Sequence, residues 1–247
     1  MEKKKLVEIK RGEEGHGLLI EHDGYISIDC GNNKQLFESY KKKKNKINEG
    51  ENETDFHCPY PFIVDAVFQR FGAENANGRI YPEAILKREV AKYQQLIDER
   101  YALAELNHPS ESVIDLSRVA INVVELHWVG NTLVGKIEIV TIPGFRKYGI
   151  ISCQGDQTAN LLLSGYKIGL SSRGLGTVTN KMGVLYVGED FELVCFDVVS
   201  NPSTKNAWIC QDGNIPERYL TNESNLVSKN KSQLLEKLES FNDWLND

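Results

Sequence analysis

Apolar and polar residues alternate with a period of two over several stretches of this chain, which predicts strands with one buried face. Val119–Trp128 and Thr132–Ile142 alternate around Gly130-Asn131, a tight-turn signal for a β-hairpin. Pro61–Phe71 is a run of apolar and β-branched residues that reads as a strand, and Val178–Tyr186 with Phe191–Val199 make a second hairpin-like pair, closed by Asn201-Pro202-Ser203. Residues 1–35 carry the shorter pieces Leu18-Leu19-Ile20 and Tyr25-Ile26-Ser27-Ile28, broken by glycines, and read as one or two hairpins.

The helical period of 3.6 enters in fewer places. After the turn signal Asn75-Ala76-Asn77-Gly78, Pro82 suits a first helical position, and Ile85, Leu86, Glu89/Val90, Tyr93, Leu96 and Ile97 define one face of a helix of about four turns. Tyr101–Leu106 is a second helical piece or a short strand, and Thr158–Gly165 is a short helix ending in glycine. In the last 35 residues Leu234, Leu235, Leu238, Phe241, Trp244 and Leu245 lie on one stripe of a terminal helix, after a polar stretch. The fold class expected is α+β, a β-barrel-like core or packed sheet with surrounding helices. Three segments are expected: a β-rich and lysine-rich extension over 1–60, a main domain over 61–212, and a polar linker with an amphipathic helix over 213–247.

Composition narrows the class further. A chain of 247 residues, 26% charged and 40% hydrophobic, suits one large soluble domain with tails. No apolar run approaches the ~20 residues of a membrane helix, and the start, Met1-Glu2-Lys3-Lys4-Lys5-Leu6, lacks the apolar core of a signal peptide. Five cysteines, at 30, 58, 153, 195 and 210, are scattered and never form a CxxC pair, which suits free thiols in a reducing cytoplasm rather than disulfides or zinc. A net charge of −6 argues against general nucleic-acid binding, so Lys41–Lys44 and Lys46 read as a solvated loop in preference to a nucleic-acid tether. Neither a metal nor a cofactor is expected.

The stretch with most chemistry is Gly169-Leu170-Ser171-Ser172-Arg173-Gly174-Leu175-Gly176. Its bland reading is a hydrogen-bonded glycine-rich turn. Its functional reading is a serine nucleophile, Ser171 or Ser172, which alternation would point to opposite faces. Arg173 is a candidate ligand for a carboxylate or phosphate, and Gly174-Leu175-Gly176 offers backbone N–H groups to an oxyanion. The stretch lacks the lysine and spacing of a phosphate loop, and it is not a GxSxG elbow. A serine nucleophile needs a base and an orienting acid. His108, set before Pro109 at the end of an apolar element, is the first candidate base, ahead of His57 and His127. Asp197 interrupts the apolar run Leu193–Val199 and needs a partner if buried, with Asp190 and Glu192 as competitors.

Four segments, Asn77–Pro82, Glu105-Leu106-Asn107-His108-Pro109, Gly169–Gly176 and Phe196-Asp197-Val198-Val199-Ser200-Asn201-Pro202-Ser203, occur here in an order and spacing that resembles the prohead (procapsid maturation) proteases of T-even-like tailed phages. The resemblance covers roughly residues 60–210. That family is similar in fold to the herpesvirus assemblins, serine proteases whose histidine also lies in an Asn-His pair and whose nucleophile also follows Gly-Leu. The resemblance therefore implies an assemblin-like fold, Ser171 as nucleophile, His108 as general base and Asp197 as the acid. It also implies cleavage of scaffold, major capsid protein and the enzyme itself after glutamate in a Leu/Ile-x-Glu context, inside the prohead in the host cytoplasm. Ile215-Pro216-Glu217 and Leu234-Leu235-Glu236 fit that context as self-cleavage sites. No membrane, specific nucleic acid or cofactor is implied, and a homo-oligomer is left open. Two rivals stand beside this expectation. One is a catalytically inactive structural or scaffolding component of the prohead, against which the intact His108, Ser171 and Asp197 set weighs. The other is a nucleic-acid-binding capsid protein working through Lys41–Lys46.

Overall fold

The computed structural model describes residues 8–21, 56, 58–109, 111–210 and 214–220. The predicted hairpin forms from β5 (Val119–Val129) and β6 (Thr132–Ile139), with Val129 opposite Thr132 and Gly130 taking the left-handed φ of +61° at the turn. Three further strands extend it into a sheet. β2 (Phe62–Arg70) pairs antiparallel with β6, β10 (Ile209–Cys210) pairs with β2, and β4 (Leu103–Glu105) pairs with β5. Residues 101–106 thus supply a strand, the second of the two expectations for them.

The second sheet is built on β7 (Gly169–Lys181), thirteen residues without a break. β1 (Gly15–Ile20) and β9 (Glu192–Val199) both pair antiparallel with it. β8 (Val184–Val187) turns back on its end, and the two-residue β3 (Arg79–Ile80) runs parallel to β8. The expected pairing of residues 178–186 with 191–199 is therefore corrected. Residues 191–199 pair with the first half of β7, around Ser171, while 178–181 pair with β8. The alternating pattern was right, but the partner was set by which apolar face each strand had to bury.

Helices cover the sheets as their periodicity requires. α1 (Glu83–Asp98) buries Ile85, Leu86, Glu89, Val90 and Tyr93, and half-buries Leu96 and Ile97. Pro82 stands one place before the expected position, at the cap, in extended conformation. α2 (Pro143–Tyr148) is a short helix, and α3 (Gln154–Leu163) starts and ends earlier than expected, with Gly165 left-handed just beyond its cap. α4 (Glu217–Leu220) packs Tyr219 onto a small cluster with Val67, Val134 and Ala207. The main core lies between the sheets and α1, where Phe68 of β2 and Tyr93 of α1 meet the ring of Phe196 edge-on at centroid distances of 5.0 and 5.6 Å.

These are mixed sheets with a few helices, an α+β fold. The expected barrel-like closure is corrected in one respect: among the described residues each sheet is an open run of five strands, and neither closes on itself. Single bridges, Leu106 with Val198 and Gly169 with Trp208, stitch one sheet to the other. The flanking strands β4 and β10 are only three and two residues long, too short to continue a ladder around a barrel. The segment expected as an N-terminal extension contributes β1 to the sheet, with Leu18, Leu19 and Ile20 buried. The Tyr25–Ile28 piece, the Lys41–Lys46 run and the terminal amphipathic stripe lie outside the described residues.

Just past β1, Glu21 is buried and gathers donors from distant parts of the chain. Its carboxylate accepts from Asn75 Nδ2 (2.6 Å), Asn77 Nδ2 (2.8 Å), Arg79 Nη1 (2.8 Å), Tyr81 Oη (2.6 Å) and Ser203 Oγ (2.9 Å). Two of the four sequence segments singled out above, 77–82 and 196–203, meet at this one carboxylate. Burial pushes the Glu21 carboxyl up, but the Arg79 charge and the hydrogen bonds from Tyr81, Arg79 and Asn77 outweigh it and hold the group below its ordinary value of 4.5. A group depressed in the folded state stabilises the fold above its unfolded pKa, and that contribution is lost as pH falls through the folded value. Glu21→Gln should therefore flatten the fall of stability with pH below 4.5 in denaturant titrations. Glu21→Ala, which strands Arg79 and Tyr81, should cost about 3–5 kcal/mol at neutral pH.

Candidate active site

The register of β7 against β9 decides which side chains can meet. Ser171 is directly opposite Asp197, Ser172 opposite Phe196, and Arg173 opposite Cys195. Residues facing each other across an antiparallel pair share a face of the sheet, with Cβ atoms about 4.5–5.5 Å apart. Ser171, Arg173, Cys195 and Asp197 therefore share one face. Ser172 takes the other, toward the aromatic core, where it lies by the Tyr81 phenol, whose pKa is raised well above its ordinary value. Burial comes first among the causes that raise Tyr81, followed by the Glu21 charge.

His108 reaches the same face from the other sheet. Leu106 makes a parallel bridge to Val198, and the Asn107 N–H donates to the Val198 carbonyl at 2.8 Å. Asn107 then takes φ +65°, a left-handed turn that asparagine tolerates better than most residues, and the chain swings the next residue back toward β9. His108 Nδ1 ends 2.7 Å from Asp197 Oδ2, with the histidine side chain 3% exposed and the aspartate fully buried. The Ser171 hydroxyl is buried too and makes no hydrogen bond in this structure. The three residues expected to work together are thus brought together by a strand pairing, a bridge and a turn.

Asp197 is held from several sides. Oδ1 accepts from the Glu105 N–H (2.9 Å) and Arg173 Nη2 (3.2 Å), and Arg173 Nε lies 2.9 Å from Oδ2. The Cys195 thiol sits 3.3 Å from Oδ1, and burial followed by the Asp197 charge pushes that thiol well above its ordinary pKa, so it stays protonated and can donate. Arg173 is completely buried and binds two carboxylates of its own chain, since Nη2 also lies 3.2 Å from Glu105 Oε1. This settles the open reading of Arg173: its ligands are internal, and it has no exposure to a substrate phosphate or carboxylate. Burial alone would lower its pKa, but its acidic neighbours outweigh burial and raise it.

The glycines of this stretch answer to close packing and not to a turn. None of the three takes a left-handed φ, and the stretch is a strand, not a turn. A Cβ at Gly169 would collide with the Ala207 carbonyl oxygen, one at Gly174 with the Phe191 ring, and one at Gly176 would come within 2.9 Å of Phe191 Cα. They let neighbouring chain approach β7 closely. Gly174 and Gly176 sit inside the ladder, opposite Leu19 and Gly17 of β1.

The competing candidates fall elsewhere. Asp190 binds His16 (3.0 Å) and the Thr177 hydroxyl (2.6 Å), six residues along β7 from Ser171. Glu192 is exposed, and His127 lies at the surface 3.2 Å from Glu125. His57 is outside the described residues. Cys58, Cys153 and Cys195 are free thiols, and among the described residues no group of His, Cys, Asp and Glu is placed to hold a metal. The residue the sequence reading passed over is Glu105. It lies in one of the quoted segments, and its apolar neighbours Leu103, Ala104 and Leu106 signal burial, but nothing local says that its partners are Arg118 and Arg173.

Comparisons with known proteins agree with this architecture. The family described as prohead core protein serine protease has a model that matches residues 18–218. The chain is 33% identical over 149 residues to the prohead core protein protease of Enterobacteria phage T4, an alignment covering 59% of this chain and 66% of that protein, just under two thirds of its length. The solved structure of the bacteriophage T4 capsid assembly protease superposes with a TM-score of 0.54 at 26% identity, covering 75% of this chain and 98% of that one. The long match of sequence to the family, with the fold to accompany it, places this chain in the prohead core protein serine protease family.

Proposed function

We propose that this chain is a serine endopeptidase that cuts scaffold and capsid proteins during maturation of a phage prohead, with Ser171 as nucleophile, His108 as general base and Asp197 as the acid that orients it. One observation carries the reading. Asp197 holds His108 Nδ1 at 2.7 Å, and it does so directly across the sheet from Ser171, whose buried hydroxyl makes no hydrogen bond in this structure.

The chemistry follows from that arrangement. With its proton on Nδ1, His108 presents Nε2 as the basic atom. Nε2 takes the Ser171 proton as Oγ attacks the scissile carbonyl, and Asp197 stabilises the imidazolium formed. The proton then passes to the leaving amine, and water repeats the sequence on the acyl-enzyme. Ser172, on the opposite face beside Tyr81, takes no part.

The substrates proposed are prohead scaffold and shell proteins in the prohead interior, cut after glutamate in a Leu/Ile-x-Glu context, as the resemblance implies. The protein itself is proposed as a further substrate, with 61–212 as the protease domain and the self-cleavage site within the 213–247 tail. Of the two matching segments, Ile215-Pro216-Glu217 runs into α4, where Tyr219 is buried and its carbonyl accepts from Arg70. Cleavage after Glu217 would first need α4 unravelled, so the reading favours Leu234-Leu235-Glu236. An inactive prohead component with the same fold is the alternative.

Ser171→Ala should abolish labelling by a fluorophosphonate probe, while Ser172→Ala should still label; equal labelling of Ser171→Ala and the parent would sink the assignment. Asp197→Asn, which misorients the imidazole, should lower kcat about 10⁴-fold with the fold retained by circular dichroism. On incubation the active protein should lose about a dozen C-terminal residues by mass spectrometry, and the Ser171→Ala protein none. An unchanged C-terminus in both would count against self-cleavage.

A further inference from the structure

The buried charges around Asp197 have no part in the steps above, yet they are the most costly feature of the site. Asp197, Glu105 and Arg173 are all fully buried, and Arg118 closes the cluster from the rim, with Nε 2.9 Å from Glu105 Oε2. We propose that Arg173 and Glu105 are positioning residues for the reaction: Arg173 grips the Asp197 carboxylate in a two-pronged contact, and Glu105 grips Arg173, so that Oδ2 stays aimed at His108. This rests on the reading of Ser171, His108 and Asp197 given above.

Three observations support it. First, Arg173 lies against both oxygens of Asp197, with Nη2 donating to Oδ1 at 3.2 Å and Nε 2.9 Å from Oδ2, while Nε also donates to Cys195 Sγ at 3.3 Å, so one planar group holds carboxylate and thiol together as a single point charge would not. Second, Glu105 holds both ends of the segment that carries His108. Its backbone N–H binds Asp197, and its side chain accepts from the Asp115 N–H at 2.8 Å, beyond the histidine. Arg173 ties the same loop through Nη1 and the Glu111 carbonyl at 2.7 Å. Third, the buried charges are paired. Two buried carboxylates, Asp197 and Glu105, meet two guanidiniums, Arg173 and Arg118, and the exposed Asp115 carboxylate stands by Arg118. Among the described residues, Cys195 of β9 and Tyr93 of α1 also lie near, both held neutral by pKa values pushed well up, by burial first. His108 therefore sits beside a cluster of paired buried charges, in which a change of one charge alters how readily the imidazole takes a proton.

That makes the role separable from mere filling of space. Arg173→Lys keeps the charge and loses the fork, so the acid limb of the pH profile should stay in place while the rate falls about tenfold. Glu105→Gln keeps the shape and removes a negative charge, which disfavours the imidazolium, so the acid limb should move to lower pH by about half to one unit. The measurement is the rate of Ser171 labelling by a fluorophosphonate across pH, for the full-length parent, both variants and His108→Ala, each checked for folding by near-UV circular dichroism. The two distinct signatures, with an inert His108→Ala, would support the proposal. Should Arg173→Lys fail to fold, the shift in Glu105→Gln decides alone. An inert His108→Ala with a full rate in Arg173→Lys and an unmoved limb in Glu105→Gln would overturn the positioning role and leave the site assignment standing. Full labelling of His108→Ala would overturn the assignment of the base, and this proposal with it.

Discussion

The pairing of β7 with β9 is the constraint on which the rest of this site depends. It sets Ser171 against Asp197, and because strand side chains alternate, a slip of one residue would turn Asp197 into the aromatic core and bring Phe196 out in its place. The register is held by what that slip would cost. Phe196 fills the space between Phe68 and Tyr93, and Asp197 and Arg173 compensate each other only when both lie on the same face. Packing on one side of the sheet and charge on the other enforce the same alignment.

β7 therefore runs between two buried polar clusters. On one face Glu21 draws together Asn75, Asn77, Arg79, Tyr81 and Ser203, and its own N–H donates to the Ser172 carbonyl. On the other, Asp197 draws together His108, Arg173 and the Glu105 backbone. The first cluster ties β1, the turn before α1 and the loop after β9 to the central strand. The second ties the two sheets to each other at the point where chemistry is proposed. Each leaves a carboxylate out of water at a cost repaid only by complete pairing, so each tolerates little movement, as a preorganised site requires.

Much of this architecture was legible in advance. The alternation of 119–142, with its Gly-Asn turn, predicts a hairpin because one face had to be buried and the turn chemistry allowed only one connection. The helical face of 83–98 was legible for the same kind of reason, since burial follows a period of 3.6 wherever a helix lies on a sheet. The partner of the 191–199 strand was not, because strands carry their own pattern but no mark of which edge they join. The neighbours of the glycines of 169–176 were not legible either. A glycine tells that something comes close, and only the fold tells that it is Ala207 or Phe191.

By itself the amino-acid sequence determined the candidates: a serine pair in a glycine-rich run, a histidine before a proline, and an aspartate too polar for the strand around it. Each is a local statement about residue type and pattern. The tertiary structure decided how they meet. It set Ser171 and not Ser172 on the face of Asp197, turned His108 onto that face through the left-handed Asn107, and made Arg173 an internal ligand in place of a surface one. Those outcomes depend on strands brought together from residues 103–109, 169–176 and 192–199, and contacts across such separations are set by the packing of the whole chain, not by the pattern of any one stretch.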